Sequence, residues 1–242
     1  MGNPYLLTNQ SAKIPDHLNT AVWITNLPPD LDHKMLLGHI RNCGKVWAAV
    51  VNKPEQGHMT SAAKIVFWDI KGANNLLEQA LQGTFTIGGY IPRVRRNRIK
   101  SNAKSINYHS RVLHIEGPSF IVNEVFLSNC FRAYDIEWQN EFVREVSKAH
   151  GRTRLEWNFG SYRCQAESAR HCIERIKRIK DEKADDFWAW HAVSVHFGVD
   201  PCAPPPTCSS ATTTLDKPFQ SDLVYSLLRA LSVGTPVSYT EE

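Results

Sequence analysis

The segment Val22-Trp23-Ile24-Thr25-Asn26-Leu27 is rich in β-branched and aromatic residues and is stopped by Pro28-Pro29. This predicts a strand from Ala21 to Pro28. Alternation sends Val22 and Ile24 to one face of its sheet and Trp23 and Thr25 to the other. An aromatic side chain next to Asn26 on the non-core face is the first sign of a binding surface.

The flanking elements follow from periodicity and punctuation. Asp30 and Asp32 suit a helix start, Leu36, Leu37 and Ile40 share a helical face, and Gly44 is a suitable C-cap. Val46 to Val51 predicts a second strand and Ala62 to Trp68 a third, with a polar loop at 52–59 between them. Ala73 to Leu81 predicts a second helix. Ile87 to Arg95 predicts a last strand, with Gly88-Gly89 as a turn or bulge. The order is β-α-β-β-α-β, a ferredoxin-like arrangement.

A second block repeats the order less clearly. It predicts strands at 111–115, 136–143, 153–159 and 192–197, and helices within 120–134 and over 164–180. Leu155, Trp157 and Phe159 alternate with Arg154, Glu156 and Asn158, which assigns Trp157 and Phe159 to the core. Cys172 falls on the apolar stripe of the second helix, with Ala169, Ile173, Ile176 and Ile179. Trp188 and Trp190 precede the last strand, in place to cover the open face of this block. The chain thus divides into an extended leader (1–19), a first domain (20–104), a second domain (105–200) and a Pro/Ser/Thr-rich tail (201–242). The tail reads as disordered apart from Phe219, Leu223, Leu227 and Leu231, which recur at helical spacing.

Two stretches in the first domain resemble the RNA recognition motif (RRM) family. The first strand matches the family's apolar-aromatic-apolar-x-Asn-Leu signature, with Trp23 in the aromatic slot. Thr60 to Phe67 falls on the eight-residue signature of the third strand. Ala63, Ile65 and Phe67 match its buried positions, whereas Ala62 and Lys64 replace its two stacking aromatics. His114 and the stretch Arg152 to Phe159 place the second domain on the same signatures without aromatics in the stacking slots, so it resembles a degenerate RRM. The tandem pair is similar to RRM-domain proteins of filamentous fungi. The resemblance implies an α+β chain of two ferredoxin-like domains that binds single-stranded RNA and carries no catalysis.

Charge agrees with this. Residues 1–107 hold 13 Lys/Arg against 6 Asp/Glu, while residues 108–200 hold 13 against 14. A polyanion surface therefore belongs to the first domain. Its expected RNA contacts are Trp23 as a stacking platform, Thr25 and Asn26 at the strand end, and Trp47 if its register points outward. Lys64, Arg93, Arg95, Arg96 and Arg98 are expected to engage phosphates, or bases by stacking. Each base stack on an aromatic is worth ~1–3 kcal/mol. A third reading packs the two domains sheet to sheet or sheet to helix and buries Trp23. The rival reading makes the chain a protein-interaction adaptor with no RNA role. Its partner would bind through the second domain or the Phe219–Leu231 segment.

The six cysteines form no C-x-x-C pair, which argues against zinc. There is no Gly-rich phosphate loop, G-x-S-x-G elbow or H-E-x-x-H motif. No enzyme activity, cofactor or small-molecule substrate is expected. No apolar run of ~18 residues suggests a membrane span. The N-terminal residues lack a secretory signal pattern, so an intracellular, non-secreted protein is expected.

Overall fold

The computed structural model describes residues 10–55 and 57–205. Strand β1 (Ala21–Leu27) buries Val22 and Ile24 completely and leaves Trp23 half-buried, as alternation requires. Asp32 then starts helix α1 (His33–His39), its carboxylate accepting the Met35 N–H at 2.6 Å. Strands β2 (Val46–Asn52) and β3 (Ser61–Phe67) follow. Helix α2 (Ile70–Leu81) begins three residues before the apolar pattern does, because Asp69 accepts the Gly72 N–H and caps it. Strand β4 (Arg93–Arg96) closes the domain.

Gly44 acts differently from expectation. Ile40, not Gly44, is the C-cap of α1. Gly44 is instead a point of close approach, since a Cβ there would lie 2.9 Å from the Gly72 Cα. Gly88 and Gly89 both have positive φ and reverse the chain between Ile87 and Tyr90, so the last strand starts only at Arg93.

The second domain contains β5 (Val112–Pro118), α3 (Glu124–Ala133), β6 (Asn140–Ala149), β7 (Arg152–Phe159), α4 (Glu167–Ile179), α5 (Phe187–His191) and β8 (Ser194–Phe197). Strand β6 starts later and runs further than its apolar residues suggest. It continues through charged residues into a two-residue reversal at His150-Gly151, both with positive φ. That conformation matches the twist of a tight hairpin. Helix α5 drives Trp190 into the domain core and leaves Trp188 exposed. Neither tryptophan covers the open face as expected, because the short helix packs against α4 on the helical side.

Both sheets are four-stranded and antiparallel, in the orders β2-β3-β1-β4 and β6-β7-β5-β8. Each domain buries its inward-facing strand residues and helix stripes in its own core. Trp157 and Phe159 are fully buried and stack on each other at 5.4 Å.

The two domains form one compact unit ending at Pro205. Helix α1 packs on β6, and the Ser161 hydroxyl accepts the Ala49 N–H of β2 at 2.9 Å. After β8 the chain returns to the first domain, where Cys202 is buried in the first core. The Cys202 carbonyl accepts the N–H groups of Cys43 and Gly44. The tail boundary therefore falls after these residues, not at 200. The Phe219–Leu231 segment lies outside the described residues.

Candidate nucleic-acid interface

The site is built by strand register. Lys64 on β3 stands opposite Trp23 on β1, Trp23 opposite Arg95 on β4, and Val50 on β2 opposite Lys64. One row of side chains, Val50–Lys64–Trp23–Arg95, thus crosses the open face of the first sheet. Thr25 and Arg93 pair in the next row, beside Ala62 and Asn52. Inward-facing Val94 packs on the core, which turns Arg93 and Arg95 outward and leaves both exposed.

Asn26 has a left-handed backbone (φ 61) at the point where the β1–β3 register shifts, and its side-chain amide donates to the Ile91 carbonyl at 2.9 Å. Asn tolerates this conformation better than most residues. Its part is to end the strand and hold the loop before β4. Arg96 points the other way. Its guanidinium donates to the Asn19 carbonyl at 2.7 Å and to Asn74 on α2, so it belongs to the helical side and not to the open face. Arg98 is exposed beyond the end of β4.

Trp47 lies at a register irregularity of β2 and is not an open platform. It packs against Trp68 at 4.8 Å and Tyr162 of the second domain at 4.9 Å. The connecting segment closes over this end of the sheet. Lys104 N–H donates to the Trp68 carbonyl and the Trp68 indole N–H donates to the Ser105 carbonyl. Lys45 Nζ lies 4.2 Å from the Trp68 ring centroid and Lys104 Nζ 5.1 Å from that of Trp47. Burial holds the Lys64 and Lys104 ammonium groups below their ordinary range, and the nearby Arg163 charge adds to this in both.

The open face of the second sheet is different. Arg144 pairs with Glu156 at 2.6 Å, Arg152 with Glu116 at 3.3 Å, and Arg154 donates to His114 at 3.2 Å. Two of its arginines are thus neutralised by carboxylates on the same face. Phe142 stands opposite Asn158 and so also faces outward, an aromatic that the later start of β6 brings into register.

The strand order, the helices on one side and the aromatic of the first strand on the other settle the architecture. Both domains have the ferredoxin-like βαββαβ fold.

No family model and no curated protein matches the sequence. The chain is similar to solved tandem RRM structures at low identity. One is a structure of the N-terminal three RNA binding domains of the yeast splicing factor Prp24. It is 14% identical with a TM-score of 0.28, covering 74% of this chain and 63% of that one. This chain therefore spans less than two thirds of that structure. RNA recognition domains 1 and 2 of Sex-lethal from Drosophila melanogaster are 14% identical with a TM-score of 0.26, covering 74% and 100%. The first two RRM domains of yeast poly(U) binding protein Pub1 are 10% identical with a TM-score of 0.29, covering 74% and 99%. The fold assignment rests on the strand order of the two sheets.

Of the residues expected from sequence, Trp23, Thr25, Lys64, Arg93 and Arg95 share one surface of the first domain. Tyr162 and Arg163, which border it from the second domain, were missed. They are distant in sequence and carry no local signature. Among the described residues no helix is long and apolar enough to cross a membrane, and no His/Cys/Asp/Glu group is arranged to hold a metal.

Proposed function

We propose that the protein binds single-stranded RNA on the open sheet of the first RRM. The observation that carries this is the Lys64–Trp23–Arg95 row, which sets a partly exposed indole between two cations at strand spacing. A base stacking on Trp23 would place its flanking phosphates near Lys64 and Arg95. With one open platform in place of several, the grip is mainly electrostatic and tolerant of sequence. Tandem RRM structures bound to or named for RNA, such as the Sex-lethal protein/RNA complex, share the architecture. The paired charges on the second sheet argue against a second phosphate track there and favour a scaffolding role for that RRM.

Fluorescence anisotropy of the full chain with labelled single-stranded RNAs, over a salt series, tests the reading. Trp23→Ala should weaken binding by about 5- to 150-fold, the equivalent of one lost stack. A Lys64→Gln/Arg95→Gln variant should flatten the log K against log salt slope by about 1.4, ~0.7 per lost phosphate contact. Binding that is indifferent to both variants, or absent at micromolar protein, would remove RNA from this face.

A further inference from the structure

Three helix ends converge at one corner of the second domain, with α5 bracketed by the other two. The Trp190 ring lies 6.1 Å from Phe126 in the first turn of α3, and Lys180, the C-cap of α4, pairs with Asp186 at 2.7 Å. Trp190 goes into the core, but its apolar neighbours do not. Trp188 is 78% exposed, Val125 73% and Ile179 62%. The Trp188 ring stands edge-on against Phe187 at 5.1 Å, which gives it one neighbour and leaves it uncovered. Single exposed apolar residues are ordinary, whereas several gathered at packed helix ends, one of them a tryptophan, are what interaction partners cover.

Trp188 also differs from the other tryptophans. Trp47, Trp68 and Trp138 each carry a cation over the ring, namely Lys104, Lys45 and Arg132. Trp157 and Trp190 are buried. Among the described residues no cation lies over Trp188, and the charge beside it is negative. The segment 180–186 is folded by two successive turns, in which the Ala184 N–H donates to the Asp181 carbonyl and the Phe187 N–H to the Ala184 carbonyl, and the Lys180–Asp186 pair closes it. Asp181, Glu182 and Asp185 on this segment are exposed, as is Glu124 in the first turn of α3, and among the described residues none of them forms an ion pair. Only Lys183 and Arg178 nearby in the chain oppose them. Such a rim repels RNA phosphates and draws cationic side chains. A guanidinium or ammonium that lies on the open indole face gains a cation–π contact as well.

We propose that this corner is a docking site for a basic, apolar segment of a partner protein. An arginine or lysine of the partner lies on Trp188 between the carboxylates, and an apolar side chain packs on Val125 and Ile179. The site goes beyond the RNA reading above and does not depend on it. The two surfaces are opposite in charge and sit on different domains, so a polyanion on the first sheet and a cationic segment at this corner do not compete.

The test uses the full chain and a labelled peptide of alternating leucine and arginine, with a leucine–glutamate peptide of equal length as control, read by fluorescence anisotropy over a salt series. The arginine peptide should bind at micromolar concentration and more weakly as salt rises, and the glutamate peptide should not bind. Trp188→Ala should weaken binding by about 5- to 30-fold. The Asp181→Asn/Glu182→Gln/Asp185→Asn variant should weaken it by about 3-fold or more and flatten its salt dependence. These side chains are exposed, so the melting temperature should hold in both variants; if Trp188→Ala lowers it, the carboxamide variant decides. Trp23→Ala should leave peptide binding unchanged. Peptide binding that ignores both the Trp188 and the carboxamide variants, equal binding of the two peptides, or no binding of either overturns the proposal. So does a concentration-dependent dimer in sedimentation that Trp188→Ala abolishes, which would put a second copy of this chain on the patch.

Discussion

Gly72 shows how tightly single positions are determined. It lies on α2 against the Phe67 ring, and a Cβ there would come within 2.7 Å of Phe67 Cδ1 and 2.8 Å of Cγ. Phe67 is fully buried and has no room to retreat. Gly72→Ala gains helix propensity but overpacks the core, so it should destabilise the protein by about 1–3 kcal/mol. Thermal denaturation should show the melting temperature falling by several degrees, and an unchanged or raised value would show that the ring can move. Trp23 is the opposite case, a large apolar residue kept at the surface by strand alternation. Its position was legible from Val22 and Ile24 on either side. The direction of Arg96 was not. It follows Arg95 in sequence and in charge, yet it sits on the opposite face of β4 and reaches Asn74.

Strand β2 is an edge of the first sheet, and its outer edge is covered by Ser161 of the second domain together with His33 of α1. The Ser161 hydroxyl accepts the Ala49 N–H, and the His33 imidazole donates to the Ala49 carbonyl at 3.3 Å. An edge strand so covered is protected from pairing with other chains. Burial holds the His33 pKa below its ordinary value of 6.5. The unfolded chain therefore takes up the proton first as pH falls. The contribution of neutral His33 is complete above pH 6.5 and is lost as pH drops below that toward the folded value. His114 is lowered in the same direction, again mainly by burial. Urea midpoints should fall from pH 7 to pH 5. His33→Gln, which keeps a donor, should reduce this difference without abolishing it. An unchanged pH dependence would remove His33 as a contributor.

At the scale of the whole molecule, the two domains are joined through Arg111. Its guanidinium is fully buried and donates to Asp200 at 3.0 Å, to Glu141 at 2.7 Å and to the Phe159 carbonyl at 2.9 Å. Asp200 in turn accepts the Val46 N–H of the first domain at 2.8 Å, and Glu141 reaches Arg41 at 3.7 Å. Burial alone would drive the Arg111 charge off, but the Asp200 and Glu141 carboxylates reverse that and hold it ionised. Breaking such a network leaves buried carboxylates uncompensated. Arg111→Ala should cost about 3–5 kcal/mol. Urea unfolding should also separate into two transitions as the domains uncouple, with faster proteolysis between residues 100 and 111. A single transition at an unchanged midpoint would show that the network does not join the domains.

Alternation and turn chemistry are local, so the sequence by itself determined the strand-helix order, the inward residues of both sheets and the assignment of Trp157, Phe159 and Cys172 to a core. It also determined that positive charge concentrates in the first domain, with Trp23 and Lys64 on its open face. Only the tertiary structure decided where Trp47 goes, that Cys202 returns to the first core, and that Tyr162 and Arg163 border a surface made by residues about 70 to 140 positions earlier. Those contacts depend on how two separately patterned sheets dock. Docking is set by shape and by buried charge pairs such as Arg111–Asp200, whose members lie far apart in the chain and carry no periodicity that marks them as partners.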